Sequence, residues 1–208
     1  MTMTVSALAV VRAHPEIARL AVALHERPGE PVEPEGAARL AAVLLALRLG
    51  DHGEPELLMI KRAEAERDPW SGHVACPGGR MEPGDHDLEQ TAIRETWEET
   101  GIDVARDGEI LGTLDDVSPR TPVLPPIVVR PFVAVVRPDV RIIASPEVAE
   151  AFWVPLPALR ERAAWGTGLV SVRGQEEERP TFRHRGYTVW GLTERVLKQF
   201  LERLGEGS

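Results

Sequence analysis

Arg94-Glu95-Thr96-Trp97-Glu98-Glu99-Thr100-Gly101-Ile102 ends a segment, Asp85 to Thr100, that reads as one helix with Gly101 placed as its C-terminal cap. At about 100° per residue, Glu95, Glu98 and Glu99 share an arc of roughly 100° on one face. Like charges at that spacing each cost the helix roughly 0.2–0.5 kcal/mol. A divalent cation reverses the sign, and hard carboxylate oxygens with no Cys/His cluster nearby suit Mg2+ or Mn2+. A solvated acidic face is the plain alternative. Against it, Leu88 and Ala92 project onto the same arc, so this face is expected to meet protein or a cleft, while Ile93 and Trp97 lie on the other side and can be packed separately. Arg94 lies beside the cluster, where a guanidinium can hold a carboxylate bidentately.

Upstream, Ala63 to Gly84 contains Pro69, Gly72, Pro77, Gly78, Gly79, Pro83 and Gly84. So many breakers predict one long, shaped loop with no regular structure, and loops of that length in compact domains are usually functional. Gly78 and Gly79 let backbone approach where a side chain would intrude, although alone they read as an ordinary turn. Arg80 offers a donor fork for phosphate, and Glu82 and Asp85 bring further oxygen donors toward the helix.

Gly79, Asp85, Arg94, Glu95, Glu98, Glu99, Gly101 and Ile102 together resemble the Nudix box, G-x5-E-x7-R-E-U-x-E-E-x-G-U with U aliphatic. Two positions depart from it: Asp85 stands for the first Glu with one extra residue before Arg94, and Thr96 replaces an aliphatic side chain. The extra residue with Asp is similar to the coenzyme A diphosphatase branch, whose upstream signature matches in part at Leu58-Met59-Ile60-Lys61-Arg62 and Trp70 to Gly79. Trp70 and Cys76 differ there from that branch's His and Phe. Phe152 to Leu156 and Val189 to Thr193 extend the likeness, which covers roughly Ala38 to Leu204.

The resemblance implies an α/β fold, a Nudix-type α/β/α sandwich around a central mixed β-sheet, with the box helix and the C-terminal helix on opposite faces. It implies hydrolysis of a diphosphate bond in a nucleoside diphosphate derivative, coenzyme A or a similar nucleotide first; ADP-ribose, NADH and nucleotide sugars are alternatives, as is a non-catalytic nucleotide-sensing module. The implied metal holders are Glu95, Glu98 and Glu99, with Asp85 assisting, around Mg2+ or Mn2+. Glu98 leads as general base, Arg94 orients a carboxylate, and Glu147 or Glu150 could contribute from a later loop. Arg62, Arg80, Gly78, Gly79 and Trp70 are the expected substrate contacts. By family analogy a homodimer is a candidate assembly.

Elsewhere, Pro15 to Glu26 reads as an amphipathic helix and Pro28 to Gly36 as an extended connector, which divides the chain into an N-terminal extension over 1–35 and a Nudix domain over 36–205. Ala38 to Leu49 is so uniformly apolar that its residues alone leave strand and helix open; the resemblance makes it a strand. Leu57 to Lys61, Ile110 to Leu114, Ile127 to Val136, Ala151 to Val154, Leu169 to Val172 and Tyr187 to Val189 predict strands. Leu156 to Arg162 and Leu192 to Leu204 predict helices, and Gly174 to Pro180 a loop in which Glu176-Glu177-Glu178 is solvated.

Over 208 residues, 43% hydrophobic and 27% charged composition excludes collagen, coiled coil and obligate disorder. A net charge of -9 without a dense Lys/Arg run argues against a nucleic-acid partner. Cys76 is the lone cysteine, so no internal disulfide forms and a reducing compartment fits. The N-terminus lacks the basic-then-apolar order of a signal peptide, and Leu40 to Leu47 is too short to cross a bilayer. Those features predict a cytoplasmic protein with no membrane partner.

Overall fold

A computed structural model of the chain describes residues 6–34, 36, 38–65, 71–119, 126–172 and 174–205. The uniformly apolar run is a strand, β1 (Arg39–Leu49). Its period-2 alternation is invisible in sequence because both faces are covered. Ala41, Leu45 and Leu47 join one buried cluster, and Ala42, Leu44 and Ala46 the other. β1 runs antiparallel to β2 (Pro55–Arg62) and parallel to β6 (Ile127–Val136). β3 (Val74–Ala75) and β7 (Val148–Pro155) pair with β2, β4 (Gly78–Arg80) with β1, and β5 (Gly108–Thr113) with β6, completing a seven-stranded mixed sheet. A second, three-stranded sheet is formed by β8 (Trp165–Val172), β9 (Gln175–His184) and β10 (Tyr187–Trp190).

Helices cover both faces of the large sheet. Leu88 and Ala92 of α3 (Leu88–Thr100) pack with Leu44, Leu58, Phe132 and Ala134. On the other face, Val11 of α1 (Ala7–Ala13) and Ile17, Leu20 and Leu24 of α2 (Pro15–Glu26) share a cluster with Leu45, Met59 and Val133. Val196, Leu197 and Phe200 of α6 (Gly191–Arg203) complete that layer, opposite the box helix as expected. Full burial of Ile17, Leu20 and Leu24 is worth roughly 1.5–3 kcal/mol for each side chain, so α2 is a large contributor to the core. The backbone after α2 is held too: Gly29 N–H donates to Thr113 Oγ1 at 3.2 Å, Glu30 N–H to Asp115 Oδ1 at 3.1 Å and Val32 N–H to Asp116 Oδ2 at 3.0 Å.

Four local expectations are corrected. The region 63–84 is not a structureless loop: β3 and β4 lie in it, and 66–70 fall outside the described residues. Gly174 to Pro180 is not a loop, because Gln175 onward pairs with β8 in register from Val172↔Gln175. Leu156 to Arg162 divides into α5 (Leu156–Arg160) and a 3-10 turn, Arg162–Ala164. The box helix begins at Leu88 rather than at Asp85, because Asp87 caps it, Oδ1 accepting from Gln90 N–H at 2.8 Å.

Candidate active site

The inner face of α3 carries hydroxyls where an aliphatic residue is expected. Thr96 is fully buried and donates from Oγ1 to Ala92 O at 2.7 Å; Thr100 donates likewise to Thr96 O at 2.6 Å. Each hydroxyl is satisfied on the preceding turn, so Thr96 packs as its aliphatic counterpart would. Gly101 at φ 72° ends the helix in the left-handed region, its N–H bonded to Trp97 O. Trp97, on the other side of the helix, is 57% exposed.

Arg94 is the hub of the acidic cluster. Nε donates to Asp85 Oδ1 at 2.9 Å and Nη2 to Asp85 Oδ2 at 2.9 Å. Nη1 reaches Glu95 Oε1 at 2.9 Å and Glu98 Oε2 at 3.0 Å, and Nη2 also meets Arg80 O at 3.0 Å. Asp85 accepts in addition from Thr91 Oγ1 and from Glu82 N–H, both at 2.9 Å. The Arg94 guanidinium, above all, holds Asp85 far below the ordinary carboxylate range. With four donors on it, Asp85 anchors Arg94.

Glu99 is 3% exposed. Its Oε2 accepts from Gly78 N–H at 2.9 Å and its Oε1 from Arg62 Nη1 at 3.3 Å. Burial pushes its carboxyl up to about 7, against the downward pull of Gly78 N–H and Arg62; Glu95 and Glu147 push the same way as burial. Burial likewise raises Glu95, which Arg94 partly offsets. The two glycines shape this pocket. A Cβ on Gly78 would meet Val43 Cα at 2.6 Å and the Ala42 carbonyl, and one on Gly79 would stand 2.6 Å from Glu95 Oε2. Backbone thus closes directly on the carboxylates.

Among the other expected site residues, Arg62 pairs with Glu99, Glu147 acts on it through its charge, and Glu98 is half-exposed at the rim. Glu150 does not come there. It lies two residues before Phe152, whose ring packs in the cluster on the opposite sheet face, and its carboxylate accepts from the Tyr187 hydroxyl. The register sets Arg80 opposite Ala41, on the face away from Gly79 and Glu95. Trp70 lies outside the described residues. Thr91 is a site neighbour that the sequence does not announce; its only signal is a hydroxyl at a helix position that faces the core. Among the described residues no three His, Cys, Asp or Glu side chains converge tightly enough to enclose an ion, since guanidinium groups engage the carboxylates instead.

The NUDIX domain profile matches residues 38–171. The chain belongs to the Nudix family. It is 32% identical over 170 residues to the human mitochondrial coenzyme A diphosphatase NUDT8, covering 81% of this chain and 70% of that protein. An uncharacterized Nudix hydrolase NudL of Photorhabdus laumondii is 30% identical over 178 residues, 85% of this chain and 91% of the relative. The fold of this Nudix protein is similar to that of a NUDIX hydrolase from Alicyclobacillus acidocaldarius, with a TM-score of 0.53 at 20% identity over 81% of this chain and 93% of that one. It is accordingly a Nudix pyrophosphohydrolase by class. Among the described residues no helix is long and apolar enough to cross a membrane.

Proposed function

We propose that this Nudix protein hydrolyses the diphosphate bond of coenzyme A or a closely similar nucleotide, with Mg2+ or Mn2+ bound at Glu95, Glu98 and Glu99. The observation that carries the substrate assignment is the 32% identity to a coenzyme A diphosphatase over most of both chains. The site's donor set fits a hard cation: Glu95 and Glu99 are carboxylates raised by burial and crowding, which is relieved by positive charge. When bound, the metal supplies charge neutralisation for the diphosphate oxygens and acidifies water.

The chain's own groups do the rest. Arg94 Nη1 spans Glu95 and Glu98 and sets their separation before any ligand arrives. Gly78 N–H fixes Glu99 Oε2, and Oε1 accepts from Arg62 Nη1. In this reading Arg62, paired with Glu99 at 3.3 Å, turns to a substrate phosphate once Glu99 is otherwise neutralised. Glu98, held through Oε2 at the half-exposed rim, offers Oε1 to take a proton from the attacking water.

Incubation of the chain with coenzyme A and Mg2+ is expected to release adenosine 3′,5′-bisphosphate and 4′-phosphopantetheine, faster than ADP-ribose, NADH or nucleotide sugars are cleaved. Glu98→Gln and Glu99→Gln are each expected to abolish turnover with the fold retained. Preference for another anhydride would move the substrate; full activity in both variants would refute the site.

A further inference from the structure

Asp85 is a methylene shorter than the glutamate of the box pattern and one residue further from Arg94, yet it meets that arginine through both oxygens. Two constraints make this reach possible. The turn before α3 closes on itself, Asp85 N–H donating to Glu82 O at 3.0 Å and Glu82 N–H to Asp85 Oδ2 at 2.9 Å. The second constraint comes from α3: Thr91, fully buried, donates from Oγ1 to the same Oδ2 at 2.9 Å. That hydroxyl has one proton and two acceptors in range, the carboxylate and Asp87 O at 3.1 Å. The ionised oxygen is both the nearer and the stronger acceptor.

We infer that Thr91 is a positioning residue of this enzyme. Its hydroxyl fixes Asp85, Asp85 fixes Arg94 at two points, and Arg94 Nη1 holds both Glu95 and Glu98. Thr91 touches neither substrate nor metal; it acts at the far end of a chain of charged hydrogen bonds, where loosening one link is felt by the carboxylates at the other. Valine would fill the same space in the core without donating. The inference rests on the reading of Glu95, Glu98 and Glu99 as the metal-holding set.

The test compares wild type, Thr91→Val and Thr91→Ser for Mn2+ binding by electron paramagnetic resonance without substrate, for kcat and KM, and for melting temperature. Thr91→Val is expected to bind Mn2+ about tenfold more weakly and to lose about tenfold in kcat, with KM within about twofold. Thr91→Ser, which keeps the donor, is expected to stay within about twofold of wild type in both. Wild-type Mn2+ affinity and kcat in Thr91→Val would overturn the inference. So would a Ser variant as impaired as the Val variant, since that assigns the loss to the missing methyl. Should Thr91→Val not fold, Thr91→Ala against Thr91→Ser separates the hydroxyl from the methyl in the same way. A wild-type protein that hydrolyses its substrate but binds no Mn2+ refutes the metal-holding set itself.

Discussion

Gly78 and Gly79 are chain neighbours whose replacement by alanine separates folding from chemistry. A methyl on Gly78 is directed at backbone, the Ala42 carbonyl and Val43 Cα at 2.6 Å, and Gly78 sits at φ 154°, where L side chains are rarely found. Backbone of the central strand has no room to yield, so Gly78→Ala is expected to cost about 1–3 kcal/mol. For a domain of this size that lowers the melting temperature by roughly 4–8 °C at the middle of the range. A methyl on Gly79 meets a different neighbour, the Glu95 carboxylate, whose Oε2 would lie 2.6 Å away. That carboxylate is the end of a flexible side chain and can retreat, by about 1 Å to bring its nearer atoms to ordinary contact. Stability should therefore change little. The retreat breaks the 2.9 Å bond to Arg94 Nη1 or drags Arg94 with it, and a displacement approaching 1 Å in a catalytic constellation costs about 10²-fold in rate. Differential scanning fluorimetry without metal, beside kcat on the best substrate, reads both. A Gly79→Ala protein that melts normally and retains wild-type kcat would refute the placement of Glu95 in the working site. A Gly78→Ala protein with unchanged melting would refute the register of β4 on β1.

Glu99 ionises at about 7 in the fold against 4.5 when unperturbed, so between those values the folded state binds the extra proton and stability falls as pH rises, by a total on the order of 3 kcal/mol. Metal-free melting curves from pH 5 to 8 should show that decline, Glu99→Gln should flatten it, and saturating Mg2+ should reverse it; a decline identical in the variant would exclude Glu99 as its source. Glu150→Gln should leave kcat within about twofold while Glu147→Gln lowers it, because only Glu147 acts on Glu99; the reverse order would mean the register of β7 is wrong. Cys76 is buried and its thiol is pushed up to about 12, so it should resist a thiol reagent at pH 8 in the native state and react on unfolding. Rapid native labelling would place it at the surface.

What the sequence discloses about this fold is what is encoded locally. The box helix shows its period and its terminal glycine within a single continuous segment, and β6 coincides with the predicted Ile127 to Val136 because one apolar, β-branched run specifies it. β9 does not disclose itself: Gln175 to Pro180 is acidic, nearly without apolar residues and holds a proline, and only its partner β8 makes a strand of it. β4 is two glycines and an arginine, strand by virtue of lying against β1. The face on which Glu150 stands depends on pairing with β2, where the register shifts between Lys61 and Arg62; no short-range pattern announces such a shift.

The acidic cluster shows the same division more sharply. Spacing along α3 brings Glu95, Glu98 and Glu99 to one side, and the structure keeps them there. What spacing cannot do is rank carboxylates that share a neighbourhood. Asp85 and Glu99 are both nearly buried and both accept from an arginine, yet their ionisation moves in opposite directions. The difference is the number and quality of donors: Asp85 receives a bidentate guanidinium, a hydroxyl and an amide, whereas Glu99 receives one amide and one long contact from Arg62. A carboxylate already saturated gains little from a cation, and one left short of donors gains much. On that criterion Asp85 is the fixed point of the cluster and Glu99 the member whose charge still needs a partner.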